Sequence, residues 1–135
     1  MNTVQELQQP ALPAGPVGGP WSVRQTAGRS GRRALEVYEA EELIDVLVTS
    51  SLSGDVLRGA RRARSGGIAW GRLAADGSVP DVAFARARVR ADWQPAEVVE
   101  LPGGFWLAWT TGPALAVMAR RRDGLVERLK PARLG

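Results

Sequence analysis

The sequence predicts an α+β protein in which an antiparallel β-meander of about six strands packs against one or two N-terminal helices. Three features lead to this fold class. Apolar residues recur with a helical period between Ala40 and Val48, whereas residues 82–90 alternate as a half-buried strand does. Two Asp-Gly pairs, at 76–77 and 123–124, favour tight hairpin turns. Helices that precede a run of antiparallel strands are expected to cover one face of the sheet.

The chain is predicted to comprise a disordered tail, residues 1–20, followed by a single α+β domain, residues 21–135. The tail is rich in Pro, Gly and Gln and has almost no bulky apolar side chains. It therefore cannot bury enough surface to offset the entropy of ordering it. A simple leader and a partner-docking segment are its two interpretations. The length of 135 residues suits one domain.

Two short strands and a helix are the first ordered elements expected after the tail. The strands are residues 21–26 and 34–38. From Ala40 the apolar positions follow i, i+3, i+4, i+7 and i+8, one stripe of an α-helix. The stripe consists of Ala40, Leu43, Ile44, Leu47 and Val48. Glu41 and Glu42 fall in the first turn, where acids suit the helix dipole.

A second, basic helix is predicted over residues 53–66. Ser53 suits the N-cap and Gly66 the C-cap. Its apolar stripe is thin, and two internal glycines each weaken a helix by up to ~1 kcal/mol. Basic residues surround the stripe: Arg58, Arg61, Arg62 and Arg64.

The remainder is read as six strands joined by short turns. They are residues 68–74, 82–90, 96–101, 105–110, 115–121 and 125–130. The strands 105–110 and 115–121 are apolar on both faces, which requires cover on both faces. One cover is the first helix. The other is either closure of the sheet into a barrel or a second copy of the protein.

The composition argues against a conventional enzyme, because the chain has no His and no Cys. A Ser–His–Asp triad, a thiolate nucleophile, a disulfide and a typical zinc site all need those residues. No nucleotide-binding or nucleophile-elbow motif occurs either. The sequence therefore predicts no catalytic residues, no cofactor and no metal site.

Acidic residues cluster between Glu36 and Asp45 and leave one catalytic alternative open. The cluster comprises Glu36, Glu39, Glu41, Glu42 and Asp45. A Mg²⁺-dependent or glycosidase-like site would need such carboxylates. The preferred interpretation is the solvated start of the first helix.

The charge pattern suggests an acidic partner, although part of it has another origin. The net charge is +4 and the isoelectric point is near 10.9, which is typical of nucleic-acid-binding domains. However, 17 Arg stand against one Lys. A GC-rich genome encodes Arg, Ala, Gly and Val abundantly in all its proteins. The high isoelectric point is therefore given about half its usual weight as an indication of an acidic partner.

The candidate binding residues are an Arg ladder, a nearby Trp and the basic helix. Arg86, Arg88 and Arg90 share one face of a predicted strand, about 6.6 Å apart. Guanidinium forks at that spacing suit phosphates or carboxylates. The alternative is a solvated face neutralised by Glu97 or Glu100. The other candidates are Trp93, Arg58, Arg61 and Arg62.

The predicted function is a small, non-catalytic protein–protein interaction module with a regulatory or accessory role, its partner being another protein or a second copy in a homodimer. The alternative is a nucleic-acid-binding protein that uses the Arg-rich strand face and the basic helix. A metal-dependent carboxylate enzyme is the third hypothesis. The N-terminus lacks a signal-peptide pattern, and no apolar run approaches ~20 residues. A cytoplasmic location without membrane association is therefore expected.

Overall fold

The computed structural model describes residues 19–27, 32–48, 54–87 and 92–133. Within these ranges the protein is entirely β, with eleven strands and no helix. The predicted α+β class, with its one or two helices, is therefore wrong. No helix in these ranges is long and apolar enough to cross a membrane. Of the predicted tail, residues 1–20, all but the last two residues lie outside the description.

The chain divides into two compact units, residues 1–50 and 51–135. The first holds a three-stranded sheet of order β1-β2-β3: β1 Trp21–Ala27, β2 Arg33–Glu39 and β3 Glu42–Val48. The second holds β4 Leu57–Ala63, β5 Gly66–Arg72, β6 Asp81–Ala85, β7 Trp93–Leu101, β8 Phe105–Thr111, β9 Ala116–Arg120, β10 Val126–Leu129 and β11 Ala132–Arg133. These eight form one sheet of order β10-β9-β6-β7-β8-β5-β4-β11. Among the strand pairs of the described residues, only β11–β4 is parallel.

The segment predicted as the first helix forms the β2–β3 turn and strand β3. Ala40 and Glu41 have positive φ angles of 49° and 72°, as in a two-residue hairpin turn. A register shift in the β2–β3 ladder inserts one residue and breaks the alternation of the strand. Apolar residues consequently fall on both faces with a spacing that resembles a helix. The β-branched side chains of Ile44, Val46 and Val48 favour the strand.

The predicted second helix is also a strand, because residues 57–63 form β4. Gly59, which weakens a helix, lies against the indole of Trp70, where a Cβ would overlap the ring. The β4–β5 ladder shifts its register between Leu57 and Gly59. Close packing on β5 therefore decides the structure of this segment, whereas the thin apolar stripe suggested a helix.

The large sheet is not the predicted meander of consecutive strands. Strands β6, β7 and β8 are neighbours, but β5 pairs with β8 and β6 with β9. The turn at Asp76 and Gly77 thus joins strands that do not pair. The hairpin predicted at Asp123 and Gly124 is confirmed by the antiparallel β9–β10 pair. The strand predicted over residues 82–90 ends at Ala85.

The inward side of this sheet packs around Trp106. Its side chain is fully buried, and its Nε1–H donates to the carbonyl oxygens of Val56 and Arg72, both at 3.0 Å. Phe105 and Leu107, on the other side of β8, are also buried. The two-sided character predicted for this strand is therefore confirmed. The buried cluster contains Val56, Leu57, Ala60, Ala69, Val82, Phe84, Trp106, Ala108, Ala114, Val117 and Ala119.

The C-terminal segment brings the two edges of the sheet together. Strand β10 pairs with β9 at one edge and β11 with β4 at the other. Between these pairs the carboxylate of Glu127 accepts hydrogen bonds from the backbone N–H of Val56, at 2.9 and 3.0 Å, and of Leu57, at 2.9 Å. The sheet is therefore nearly closed and barrel-like. Closure into a barrel was one of the two ways in which the second apolar face of the strands was predicted to be covered.

The chain just before β4 approaches β5 closely at Gly71, and a substitution of this glycine tests that contact. A Cβ at Gly71 would overlap the carbonyl oxygen of Val56, which already accepts from Arg72 N–H and Trp106 Nε1–H. We expect Gly71→Ala to lower the free energy of unfolding by about 1–3 kcal/mol or more, as overpacking does. Urea denaturation followed by Trp fluorescence measures it.

The matched control is Gly54→Ala, because a Cβ at Gly54 has no atom within 4 Å. We expect a change within about 0.5 kcal/mol for this variant. Equal stability of the two variants would contradict the packing described around Val56.

Candidate functional site

A cleft of about 480 Å³ opens on the barrel-like sheet where β7, β6, β9 and β10 lie side by side. Small residues form its floor, since Ala85 pairs in register with Trp93 on one side and with Ala116 on the other. The other lining residues are Arg62, Ala87, Leu115, Arg128, Leu129 and Lys130. Because alanines occupy the two middle strands, space remains between the larger side chains at the cleft's edges.

Trp93 and Arg128 face each other across this floor. The guanidinium carbon of Arg128 lies 5.8 Å from the centroid of the Trp93 ring, within the range of a cation–π contact. Their strands are three strand spacings apart, or about 14 Å. Side chains larger than Ala85 and Ala116 would obstruct the approach. Trp93 remains half-buried, and Arg128 is exposed.

Closure of the sheet adds Arg62 to the same cleft. Arg62 belongs to β4, whereas Arg128 and Lys130 belong to β10 and the residue after it. Strands β4 and β10 lie at opposite ends of the strand order. The hydrogen bonds of Glu127 to the chain entering β4 bring these ends together. The cleft therefore spans the junction between β4 and β10, termed the seam.

The electrostatics of the cleft are one-sided. Three cations, Arg62, Arg128 and Lys130, line it, and no Asp or Glu is among its described lining residues. None of the three forms an ion pair with a carboxylate in the described part of the chain. Positive charge without a local counterion attracts anions, and a concave surface strengthens the attraction.

The structure brings together two of the residues predicted from the sequence, Trp93 and Arg62. Arg86 does not join them, because its Nη2–H donates to the carbonyl of Thr111 at 3.5 Å. Arg88 and Arg90 lie outside the described residues, and the strand expected to carry all three arginines ends before Arg86. The description therefore contains no Arg ladder on β6.

The other predicted cations and the two proposed counter-charges lie elsewhere. Arg58 and Arg61 lie on β4, each already engaged in an interaction, and neither lines the cleft. Glu97 and Glu100 pair in register with Trp109 and Trp106 of β8, towards the far end of β7 from Trp93. Neither glutamate lines the cleft.

Arg128 and Lys130 are the functional candidates that sequence reasoning missed. They are two residues apart, the spacing that places side chains on one face of a strand. That signal was visible beside the Asp123–Gly124 turn. The pairing of β11 with β4 brings Arg62 to Arg128 and Lys130, and the local sequence around these residues does not predict that pairing.

The acidic cluster considered for a metal lies on β2, β3 and the turn between them, where individual carboxylates have other roles. Glu39 accepts from Trp21 Nε1–H at 2.9 Å. Glu36 accepts from the Tyr38 hydroxyl at 2.7 Å, and this hydrogen bond, foremost among the causes, raises the pKa of Tyr38. No group of three or more acidic residues suited to a metal ion occurs in the described ranges.

No protein-family model, no curated protein and no solved structure matches this chain. The geometry and charge of the cleft are therefore the features that bear on function.

The seam can be tested with Glu127→Gln. In the Gln variant the oxygen at the Oε1 position can still accept from both backbone N–H groups, but the NH₂ group at the Oε2 position opposes the N–H of Val56, and the negative charge that strengthens these hydrogen bonds is lost. We expect the free energy of unfolding to fall by about 1–3 kcal/mol, measured by urea denaturation. Glu97→Gln removes the same charge from an exposed position and is expected to change stability by less than about 0.5 kcal/mol. An unchanged stability in Glu127→Gln would show that the carboxylate does not hold the seam.

Proposed function

We propose that the protein binds single-stranded nucleic acid in the cleft, with one base stacked on Trp93 and neighbouring phosphates held by Arg62, Arg128 and Lys130. The observation that carries this proposal is one indole and three cations without a carboxylate around a cavity of about 480 Å³. The proposal includes a non-catalytic role and a location in the cytoplasm, where single-stranded nucleic acid occurs.

The indole supports a single strand over a duplex. In a duplex the faces of the bases are covered by their neighbours, whereas an unpaired base can stack on an aromatic side chain. Such stacking contributes about 1–3 kcal/mol per base and tolerates any sequence. Arg128 already occupies the space over Trp93, so a base that stacks on the indole takes its place and leaves the guanidinium to pair with a neighbouring phosphate.

The cations support a phosphate-bearing ligand over a neutral aromatic one. Arg62 and Arg128 offer planar, multidentate donors, and Lys130 adds a flexible point charge. All three cations line the same cleft as the indole, so a backbone that crosses the cleft would pass all three. Neutralising phosphates releases counterions, which makes binding weaken as salt increases.

The salt dependence of binding tests this function. We expect a fluorescently labelled thymidylate hexamer to bind with a slope of log K against log salt of about −2, since three phosphates contribute about −0.7 each. Arg62→Ala is expected to make the slope shallower by about 0.7. Fluorescence anisotropy at several salt concentrations gives both numbers.

The control variant is Arg122→Ala, which removes an exposed arginine of the β9–β10 turn outside the cleft. Its slope is expected to equal that of the wild-type protein. No binding at low salt, or binding indifferent to salt, would rule out the proposed function. An equal loss in both variants would assign the binding to overall charge.

A protein-interaction role is the second candidate, favoured by the first unit. Strand β3 is an edge of its sheet and carries three exposed aliphatic side chains, Leu43 at 47%, Val46 at 42% and Val48 at 41% exposure. Glu41, Glu42 and Asp45 make the same segment acidic. A second copy paired here would bring like charges together, so an extended segment with alternating apolar and basic residues is the better partner.

A synthetic peptide of alternating Val and Lys tests this second role. We expect it to bind the wild-type protein, because it can add a strand beside β3 and complement its acids, and to bind Val46→Ser more weakly, by about 1 kcal/mol for the lost apolar contact. Calorimetry measures both affinities. Thr26→Ser, on a different strand, is the control. Equal affinity for wild type and Val46→Ser would eliminate β3 as the docking edge.

A further inference from the structure

A second cavity of about 480 Å³ lies further along the strands that floor the first. Its central residue is Ala83, which pairs in register with Pro95 on β7 and with Met118 on β9. The other lining residues are Val79, Pro80, Asp81, Val82, Ala96, Val98 and Arg120. The walls are thus apolar, and charged side chains occur only at Asp81 and Arg120.

The two cavities share strand β6. Ala83 lines the second and Ala85 the first, and residues two apart on a strand share a face at about 6.6 Å. Arg128, a lining residue of the first cavity, pairs in register with Met118 of the second. A chain that places one base on Trp93 would therefore reach the second cavity with the adjacent nucleotide.

Asp81 and Arg120 give the second cavity a donor and an acceptor at one place. They are directly paired across β6 and β9, and both are exposed. Neither side chain forms a hydrogen bond or ion pair with another described residue. An ionised Asp accepts only, and an Arg donates only, so a ligand that satisfies both must present adjacent donors on one edge and acceptors on another.

We infer that this cavity, continuous with the proposed nucleic-acid site and dependent on it, takes the neighbouring base and selects guanine. Guanine offers N1–H and N2–H₂ to a carboxylate and offers O6 and N7 to a guanidinium, the commonest specific Arg–base pairing. Adenine and cytosine lack the first set of donors combined with the second set of acceptors, and thymine presents a single N–H. Met118 suits the face of a base, since its sulfur makes favourable contacts with aromatic rings.

Anisotropy with four hexamers tests the inference. One is all thymidylate, and the others carry a single internal guanine, adenine or cytosine. We expect the guanine hexamer to bind about tenfold more tightly than the other three, within the range of one well-formed base contact. Asp81→Asn and Arg120→Gln are each expected to reduce the ratio of guanine-hexamer to thymidylate-hexamer affinity from about ten to about one, and urea denaturation of each variant shows that it is folded.

The controls separate this inference from the function on which it depends. Arg122→Gln, two residues beyond Arg120 and outside the cavity, should keep the guanine preference. Trp93→Ala should weaken binding of all four hexamers. Equal affinity of the wild-type protein for all four, or a preference that survives in Asp81→Asn and Arg120→Gln, would overturn the guanine subsite alone. Failure of the wild-type protein to bind the thymidylate hexamer would overturn both.

Discussion

The carboxylate of Glu127 sits where the barrel-like sheet would otherwise remain open, and the candidate site depends on what it holds together. It accepts from the backbone N–H groups of Val56 and Leu57, so these donors are satisfied without a regular ladder between β10 and β4. Two residues of β11 then complete the contact by pairing with β4. This closure places Arg62 beside Arg128 and Lys130. The same contact that completes the fold therefore assembles the charge of the cleft.

Side-chain size decides what the closed sheet can present. On the inward side, Trp106 fills the interior and bonds two backbone carbonyls, which is possible because Gly71 lets the chain at Val56 approach. On the outward side, Ala83 and Ala85 leave the surface of β6 concave. Large inward and small outward residues on neighbouring strands thus produce a packed interior together with an open, cation-lined surface.

The sequence predicted the strands of the second unit better than its topology or the first unit's structure. The Asp123–Gly124 hairpin and the two-sided strand around Trp106 follow from local turn chemistry and alternation, and both are present. The first predicted helix was wrong because a hairpin turn with positive φ and a register shift produce an apolar spacing close to the helical period. The second was wrong because its segment packs closely on β5, with Gly59 against the indole of Trp70. Trp93 and Arg62 were identified as candidates, but their meeting with Arg128 depends on closure between distant strands, which no local pattern encodes.

Closure of the sheet creates one cleft, and the proposed function requires a base to stack there on Trp93. The chain has five Trp residues, each with one indole N–H signal in a nitrogen–proton correlation NMR spectrum, so a titration with the thymidylate hexamer reports on all of them at once. The Trp93 signal is expected to shift progressively and the buried Trp106 signal to stay in place. An unchanged Trp93 signal at saturating hexamer, or shifts confined to other indoles, would contradict the claim.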